Sequence, residues 1–333
     1  MAPGRRMMQV GWMLAALWLC LGGASPAGAA GAEGPRVIIA TYAENEAQSD
    51  WAAVLAESLR EFGEGMKETP VRLYLPTAMQ GLPAPLRGRL EAAAVTVLIS
   101  DVPPTAMGVI GAGKCYAAAL AEEQAAGECE ILVWMDSDTF ILRDPRPLVL
   151  REGIALGCTP VFHQRIGSLY GQPADEFWGS IYRKLEVPEA AVFPVETRID
   201  GKTLRAYFNA GLLVVRPERG VLRAWPPALQ TLLGDRYFIG ACKQDLEKRN
   251  FLHQAALAAV ICKHLKREEI LLYPSGINYP LNLQKNIPAD QRPEMLDELV
   301  TCRHEFFFRE AGWADKIRAS DRLMAWLKAR FSR

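Results

Sequence analysis

The chain has 333 residues, half of them hydrophobic, which is enough for a substantial core in one large or two modest domains. Lys plus Arg and Asp plus Glu number 38 each, so the formal net charge is zero. Because the sequence has no block of basic residues that could follow a phosphate backbone, it argues against a nucleic-acid partner.

The first thirty residues have the three regions of a secretory signal peptide. Arg5 and Arg6 precede the apolar segment GWMLAALWLCLGGA, and SPAGAAGA then supplies small residues for cleavage. The apolar segment is shorter than the ~20 residues that span a membrane. We therefore expect residues 1–30 to direct export, to the periplasm or the cell exterior. The alternative is a lumenal protein that keeps the segment as a signal anchor.

The cysteine content agrees with export. Six cysteines follow the signal segment, namely Cys115, Cys129, Cys158, Cys242, Cys262 and Cys302. An even number in an oxidising compartment favours at least one disulfide, although no close Cys-X-X-Cys pair occurs. The alternative is that most of them are small buried apolar residues.

From residue 36 the chain alternates between strand and helix patterns. RVIIATYA predicts a first strand, SDWAAVLAESLREFG a helix, and PVRLYLP and VTVLIS two more strands. KCYAAALAEEQAA predicts a second helix, which leads into a strand ending at Asp136-Ser137-Asp138. This order is typical of an α/β domain with a mainly parallel central sheet flanked by helices. In such sheets ligands bind beyond the carboxyl ends of the strands, where both aspartates are expected.

The second half continues the same domain. GIALGCTPVF, AYFNAGLLVVRPE and ILLYP predict further strands, with a mostly helical region, 221–266, before the last of them. Since no Ser/Gly linker or repeat interrupts the chain, we predict one domain over residues 36–315. Residues 316–333 predict a basic amphipathic helix. Docking on its own domain is favoured over contact with an anionic membrane surface.

Residue chemistry alone leaves three interpretations of Asp136 and Asp138. They could accept backbone N–H bonds and cap the following turn, as Asp often does. They could act as a general acid and base. They could also bind a divalent cation, for which carboxylate oxygens are suited.

Four motifs in order resemble those of a known family. LVWMDSDTFILRDP is similar to the Asp-X-Asp strand of the nucleotide-diphospho-sugar glycosyltransferases of the GT-A fold, in particular the family 8 branch that includes glycogenin and the lipopolysaccharide galactosyltransferases. YFNAGLLVVRP resembles that branch's Phe-Asn-Ala-Gly strand, GINYPLN its Tyr-Asn-Tyr segment, and CRHEFFFREAGWADK supplies a late His. The resemblance implies a GT-A-like domain that transfers a sugar from a nucleotide-diphosphate sugar to a glycan or lipid-linked acceptor.

The resemblance also implies roles for individual residues. Asp136, Asp138 and His304 would bind Mn²⁺ or Mg²⁺ against the donor diphosphate, where a cation stabilises the leaving group. Asp136 would in addition contact the donor. Thr41 and Tyr42, at the end of the first strand, would receive the nucleotide base. Simple packing at the rim is the alternative for Tyr42.

Further roles follow by the same resemblance. Lys114 would bring an ammonium to the donor phosphates, and Asn209 and Gly211 would line the sugar pocket. Asn209 and Gln254 are the expected catalytic residues, but His253 stands where the family has an Asp. Because that carboxylate is replaced, the alternative function is a non-catalytic glycan- or nucleotide-binding protein on the same fold.

Overall fold

The computed structural model describes residues 34–331 of the chain. The signal segment predicted over residues 1–30 lies outside the described residues. The strands are β1 Val37–Tyr42, β2 Val71–Leu75, β3 Val95–Ile99, β4 Ile131–Met135, β5 Thr139–Ile141, β6 Leu156–Pro160, β7 Pro194–Glu196, β8 Thr203–Arg205, β9 Phe208–Val215, β10 Ile270–Leu272, β11 Tyr279–Pro280 and β12 Thr301–Arg303. The helices are α1 Glu46–Phe62, α2 Ala84–Ala92, α3 Ala112–Ala125, α4 Glu176–Leu185, α5 Trp225–Leu233, α6 Arg236–Gln244, α7 Leu246–His264 and α8 Asp321–Phe331.

Seven strands form the central sheet, in the order β10-β6-β9-β4-β1-β2-β3. Neighbouring strands run parallel except where β9 lies antiparallel between β4 and β6. Every residue of β4 and of β9 is buried, which agrees with their uninterrupted apolar sequences and with helices covering both faces. The prediction of an α/β domain with a mainly parallel central sheet is confirmed.

Two helices carry side chains to the carboxyl edge of this sheet. Gly111, whose φ of 78° is left-handed, directly precedes α3, and no side chain caps the first turn of this helix. Asp245 caps the N-terminus of α7, because its Oδ1 accepts hydrogen bonds from the backbone N–H groups of Glu247 at 2.9 Å and Lys248 at 3.1 Å. The apolar centre of α7 is buried, so the residues on it are fixed in position.

A small second sheet, in the order β11-β12-β5, joins the C-terminal part of the chain to the aspartate motif. Strand β12 is antiparallel to β5, and Arg303 pairs with Thr139, the residue directly after Asp138. The backbone N–H of His304 donates to the carbonyl oxygen of Asp138 at 2.9 Å. This pairing brings two residues from late in the sequence to the end of β4.

The C-terminal helix is shorter than the sequence predicts, because α8 begins at Asp321 and residues 317–320 are not helical. Its apolar residues Leu323, Trp326 and Leu327 are buried in one cluster with Phe62 and Phe140. The apolar face of α8 therefore packs on its own domain. Within residues 34–331, no helix combines the length and the apolar character that crossing a bilayer requires.

The disulfide prediction is wrong for the described residues. All six cysteines that follow the signal segment are free, and all but the half-buried Cys242 are buried. They pack as small apolar side chains.

Candidate functional site

A pocket of about 240 Å³ opens at the carboxyl ends of β1 and β4. Residues from β1, α1, α3, the aspartate motif, α7 and β12 line it. Its walls include Tyr42, Trp51, Lys114, Asp136, Asp138, His253 and Arg303. The predicted position of the binding site, beyond the strand ends, agrees with this pocket.

Two cationic side chains engage the aspartate pair. The Nζ atom of Lys114 lies 2.6 Å from Oδ1 and 2.8 Å from Oδ2 of Asp136. On Asp138, Nη2 of Arg303 donates to Oδ2 at 3.2 Å and Nε to Oδ1 at 3.4 Å. The same Nη2 atom is 3.6 Å from Oδ2 of Asp136. Arg303 therefore bridges the two carboxylates, and Lys114 holds the first of them from the other side.

Gly211 provides the space for this arrangement. A Cβ atom at Gly211 would lie 2.8 Å from Oδ1 of Asn209, 3.0 Å from Oδ2 of Asp136 and 3.3 Å from Cδ of Arg303. Its carbonyl oxygen also accepts a hydrogen bond from the backbone N–H of Asp136 at 2.8 Å. The absence of a side chain at Gly211 thus allows Asn209, Asp136 and Arg303 to approach one another, but Gly211 does not itself line the pocket.

Asp138 and Arg303 form an ionised pair. Burial tends to raise the pKa of Asp138, but Arg303, with help from His304 and Lys114, holds that pKa below its ordinary value. Burial likewise opposes the charge on Arg303, yet the nearby carboxylates of Asp138, Asp136 and Glu305 raise its pKa. Both groups are therefore charged at neutral pH.

His304 lies in an aromatic environment. Its ring centroid is 5.5 Å from that of Trp51, 5.7 Å from that of Phe140 and 5.2 Å from that of Phe331. Its Nδ1 atom is 3.0 Å from the carbonyl oxygen of Glu305, and its Nε2 atom is buried without a hydrogen-bond partner. Burial lowers the pKa of His304 to about 4, so the ring is neutral at pH 7.

The predicted metal ligands are not assembled as a metal site. Within residues 34–331, no group of three or more His, Cys, Asp and Glu residues is arranged to hold a metal ion. Asp136 and Asp138 instead direct their oxygens at Lys114 and Arg303, so a divalent cation would have to displace both. These residues do not fit Mn²⁺ or Mg²⁺ as they stand, and metal binding remains a prediction from the sequence.

The two residues at the end of β1 differ in their access to the pocket. Tyr42 lines the pocket, and its ring lies directly on Gly113, where any Cβ would overlap it. Burial, with smaller contributions from Glu44 and Asp101, raises the pKa of Tyr42 to about 12, so its hydroxyl remains protonated. Thr41 is fully buried and its Oγ1 atom has no hydrogen-bond partner. Its side chain therefore does not reach the pocket.

The side-chain oxygens of the two predicted catalytic residues, Asn209 and Gln254, make contacts within the fold. Oε1 of Gln254 accepts from the backbone N–H of Ala210 at 3.1 Å. Oδ1 of Asn209 accepts from the backbone N–H of Gly211 at 2.8 Å and from Nδ2 of Asn278 at 3.1 Å. Both side chains are more than nine-tenths buried, and neither is part of the pocket lining. They hold β9 in place beneath the site.

His253 does line the pocket. Its ring lies over Gly111, where a Cβ would come within 2.5 Å of the ring atoms. Its backbone carbonyl accepts from Nε1 of Trp225 at 2.6 Å, which fixes this turn of α7. Burial, with Lys114 nearby, lowers the pKa of His253 to about 3. The pocket therefore presents a neutral imidazole where the resemblance leads one to expect a carboxylate.

Arg303 and Trp51 are pocket residues that the sequence analysis missed. Trp51 belongs to the apolar face of α1, and this pattern alone suggests a core residue. The only signal for Arg303 is its position directly before His304 in the last motif. Its role follows from the pairing of β12 with β5, which adjacent sequence does not reveal.

A family model described as the Rhodobacterales glycosyltransferase domain matches residues 39–264. No curated protein sequence matches the chain.

Three solved structures illustrate the structural similarity. The apo form of mouse xyloside xylosyltransferase 1 aligns with a TM-score of 0.45 and 13% identity, over 80% of this chain and 97% of that one. An active-site mutant of LgtC aligns with a TM-score of 0.41 and 16% identity, over 80% and 86%. The bifunctional glycosyltransferase WbbM aligns with a TM-score of 0.45 and 12% identity, over 82% and 46%.

Proposed function

The chain belongs to the Rhodobacterales glycosyltransferase family, whose model matches more than half of it, and from this premise we propose that it transfers a sugar from a nucleotide-diphosphate sugar. The resemblance to glycosyltransferases seen in the sequence is thereby confirmed at the level of the family. The acceptor, a glycan or a lipid-linked sugar, is part of the proposal.

One observation supports this proposal above the others: two cationic side chains and a helix N-terminus meet at the pocket beyond the strand ends, an arrangement that suits a diphosphate. Lys114 and Arg303 lie on its wall, each held by an aspartate. The N-terminus of α3 also faces it at Gly111, and its first turn has no side-chain cap. Backbone N–H groups at a helix N-terminus favour phosphate, and Lys114 and Arg303, each paired with an aspartate, add hydrogen-bond donors beside them.

Transfer breaks the bond between the sugar and the diphosphate, and negative charge then develops on the leaving group. Hydrogen-bond donors fixed in advance at that position lower the barrier, because they need no reorganisation during the reaction. Lys114 and Arg303 would supply such donors. Tyr42, whose ring is held against Gly113, would stack on the nucleotide base, and the neutral ring of His253 would hydrogen-bond to a sugar hydroxyl.

The proposed transfer reaction includes no step that requires a divalent cation. Metal dependence through Asp136 and Asp138 remains a prediction from the sequence, and its test is whether chelation abolishes donor binding. Export also remains a proposal, since residues 1–30 lie outside the described part of the chain.

A non-catalytic nucleotide- or glycan-binding protein is the second candidate. The neutral His253, in place of a carboxylate beside the donor pocket, is the observation that favours it. The two candidates predict the same nucleotide binding, and only turnover of a nucleotide sugar separates them.

A thermal-shift screen with ADP, CDP, GDP and UDP tests the binding half of the proposal. A ligand that binds the native state at 100 times its Kd stabilises it by about 2.7 kcal/mol, so at least one nucleotide should raise the Tm. Lys114→Gln should reduce that rise, whereas Lys328→Gln, on the C-terminal helix, should not. No rise with any of the four nucleotides would argue against a nucleoside-diphosphate ligand.

A further inference from the structure

The environment of Arg303 is unusual for an arginine beside a substrate pocket. Its side chain is only 13% exposed, and three carboxylates surround it. Nε and Nη2 both donate to Asp138, and Nη2 also donates to Oε1 of Glu305 at 3.0 Å. A planar guanidinium that meets both oxygens of a carboxylate is a strong and directional contact.

Arg303 lies between the two aspartates. Its Nη2 atom is 3.6 Å from Oδ2 of Asp136 and 3.2 Å from Oδ2 of Asp138, so a cation held by both carboxylates would have to displace it. Lys114 balances the second negative charge at 2.6 Å. Lys114 and Arg303 therefore balance the charges of the two aspartates, and Glu305 leaves this cluster of five groups with one net negative charge.

The surrounding structure holds Arg303 in place. Gly211 leaves room for its stem, since a Cβ there would approach Cδ of Arg303 to 3.3 Å. Glu305 adopts a left-handed backbone with φ of 43°, an unfavourable conformation for a residue with a side chain. Its carboxylate accepts from Arg303 on one oxygen and from Nδ2 of Asn282 at 2.6 Å on the other.

We propose that Arg303, together with Lys114, takes the place of a divalent cation at the Asp136-Ser137-Asp138 motif, and that the protein binds the diphosphate of its donor without metal. This inference rests on the proposed function. Arg303 still has donors to offer, because Nη1 makes no hydrogen bond to any residue within 34–331. The two aspartates then orient the cations instead of binding a metal.

Calorimetric titration of the full chain tests the inference directly. ADP, CDP, GDP and UDP are titrated in EDTA and again in MnCl₂. We expect the nucleotide that binds to have the same Kd in both buffers, within roughly threefold. Binding that occurs only with Mn²⁺ would overturn the inference and leave the proposed function intact, whereas no binding in either buffer would overturn both.

Two substitutions of Arg303 test whether this residue is responsible for nucleotide binding without metal. Arg303→Gln should weaken nucleotide binding in EDTA by at least about tenfold, because it removes the charge and the paired donors. Arg303→Lys keeps the charge and should lose less. Arg322→Gln, on an exposed pair with Glu61, is the matched control and should leave the Kd unchanged. Equal affinity in wild type and Arg303→Gln would overturn the inference.

Titration with Mn²⁺ alone gives a readout that does not depend on the nucleotide. Because Arg303 and Lys114 occupy the aspartate oxygens, wild type should show no saturable Mn²⁺ binding below ~1 mM. Saturable binding at micromolar Mn²⁺ would show that the metal displaces Arg303 readily, and the inference would be wrong.

Discussion

Asp138→Asn removes one charge from the aspartate pair while keeping the shape of the side chain. In isolation, two neighbouring carboxylates repel each other, and losing one charge would cost little stability. The structure reverses this expectation, because Asp138 is the bidentate partner of a guanidinium that is itself only 13% exposed. The substitution would leave the charge of Arg303 poorly compensated.

The contacts that remain determine the size of the effect. Removing one partner of a buried ion pair costs about 3–5 kcal/mol. Arg303 keeps Glu305 at 3.0 Å and Asp136 at 3.6 Å, so we discount this figure and expect a loss of about 2 kcal/mol in the free energy of unfolding. Glu61→Gln, which breaks an exposed pair with Arg322, should cost less than about 0.5 kcal/mol.

Urea unfolding at pH 7 measures these differences, provided that the slope with denaturant is unchanged. A double-mutant cycle with Arg303→Gln should give a coupling energy of at least about 1 kcal/mol, since the two residues share one contact. A loss below about 0.5 kcal/mol in Asp138→Asn, together with additive effects in the cycle, would refute the reasoning.

Three further predictions follow from the pocket. Gly211→Ala should weaken nucleotide binding at least about tenfold by calorimetry, because the new Cβ would crowd Asp136 and Arg303. Gly240→Ala, where the Cβ would meet open space, should leave the affinity unchanged, and equal losses in the two variants would contradict this. Gly113→Ala should displace the Tyr42 ring and weaken nucleotide binding while leaving Mn²⁺ titrations unchanged. An unaltered nucleotide affinity would show that Tyr42 does not contact the nucleotide. Because the pKa of His253 is about 3 in the folded state and ordinarily about 6.5, the unfolded state takes up the proton first, and stability falls as the pH drops below 6.5. His253→Gln should reduce the loss between pH 7 and pH 5 by about 2 kcal/mol, and identical pH profiles for the two proteins would disprove it.

Strand ends were predictable because local sequence determines them. The apolar run ILVWM is buried on both faces as β4, and Asp136 follows it at the edge of a parallel sheet. Helix α3 was predicted from its alanines, and Lys114 on it reaches the pocket. The strand end and the helix depend on residues close together in the chain, so the sequence alone was sufficient to predict them.

The inner arrangement of the site was not predictable in the same way. Arg303 contacts Asp138 across 165 residues, through a three-residue strand without a distinctive pattern. Asn209 and Gln254 match a family motif, but their side-chain oxygens are taken by backbone N–H groups of β9. Whether a polar side chain faces the pocket or supports its wall depends on the partners that tertiary packing brings to it.

Turnover of a nucleotide sugar tests the central claim most directly. Purified wild type and Lys114→Gln are incubated with UDP- and GDP-linked sugars, and the released nucleoside diphosphate is quantified, with water accepting the sugar where no acceptor is known. We predict release from at least one donor by wild type, and at least ~100-fold slower release by Lys114→Gln, because a fixed donor at the leaving group is lost. Binding of the nucleoside diphosphate without release from any donor would contradict the account and identify a binding protein.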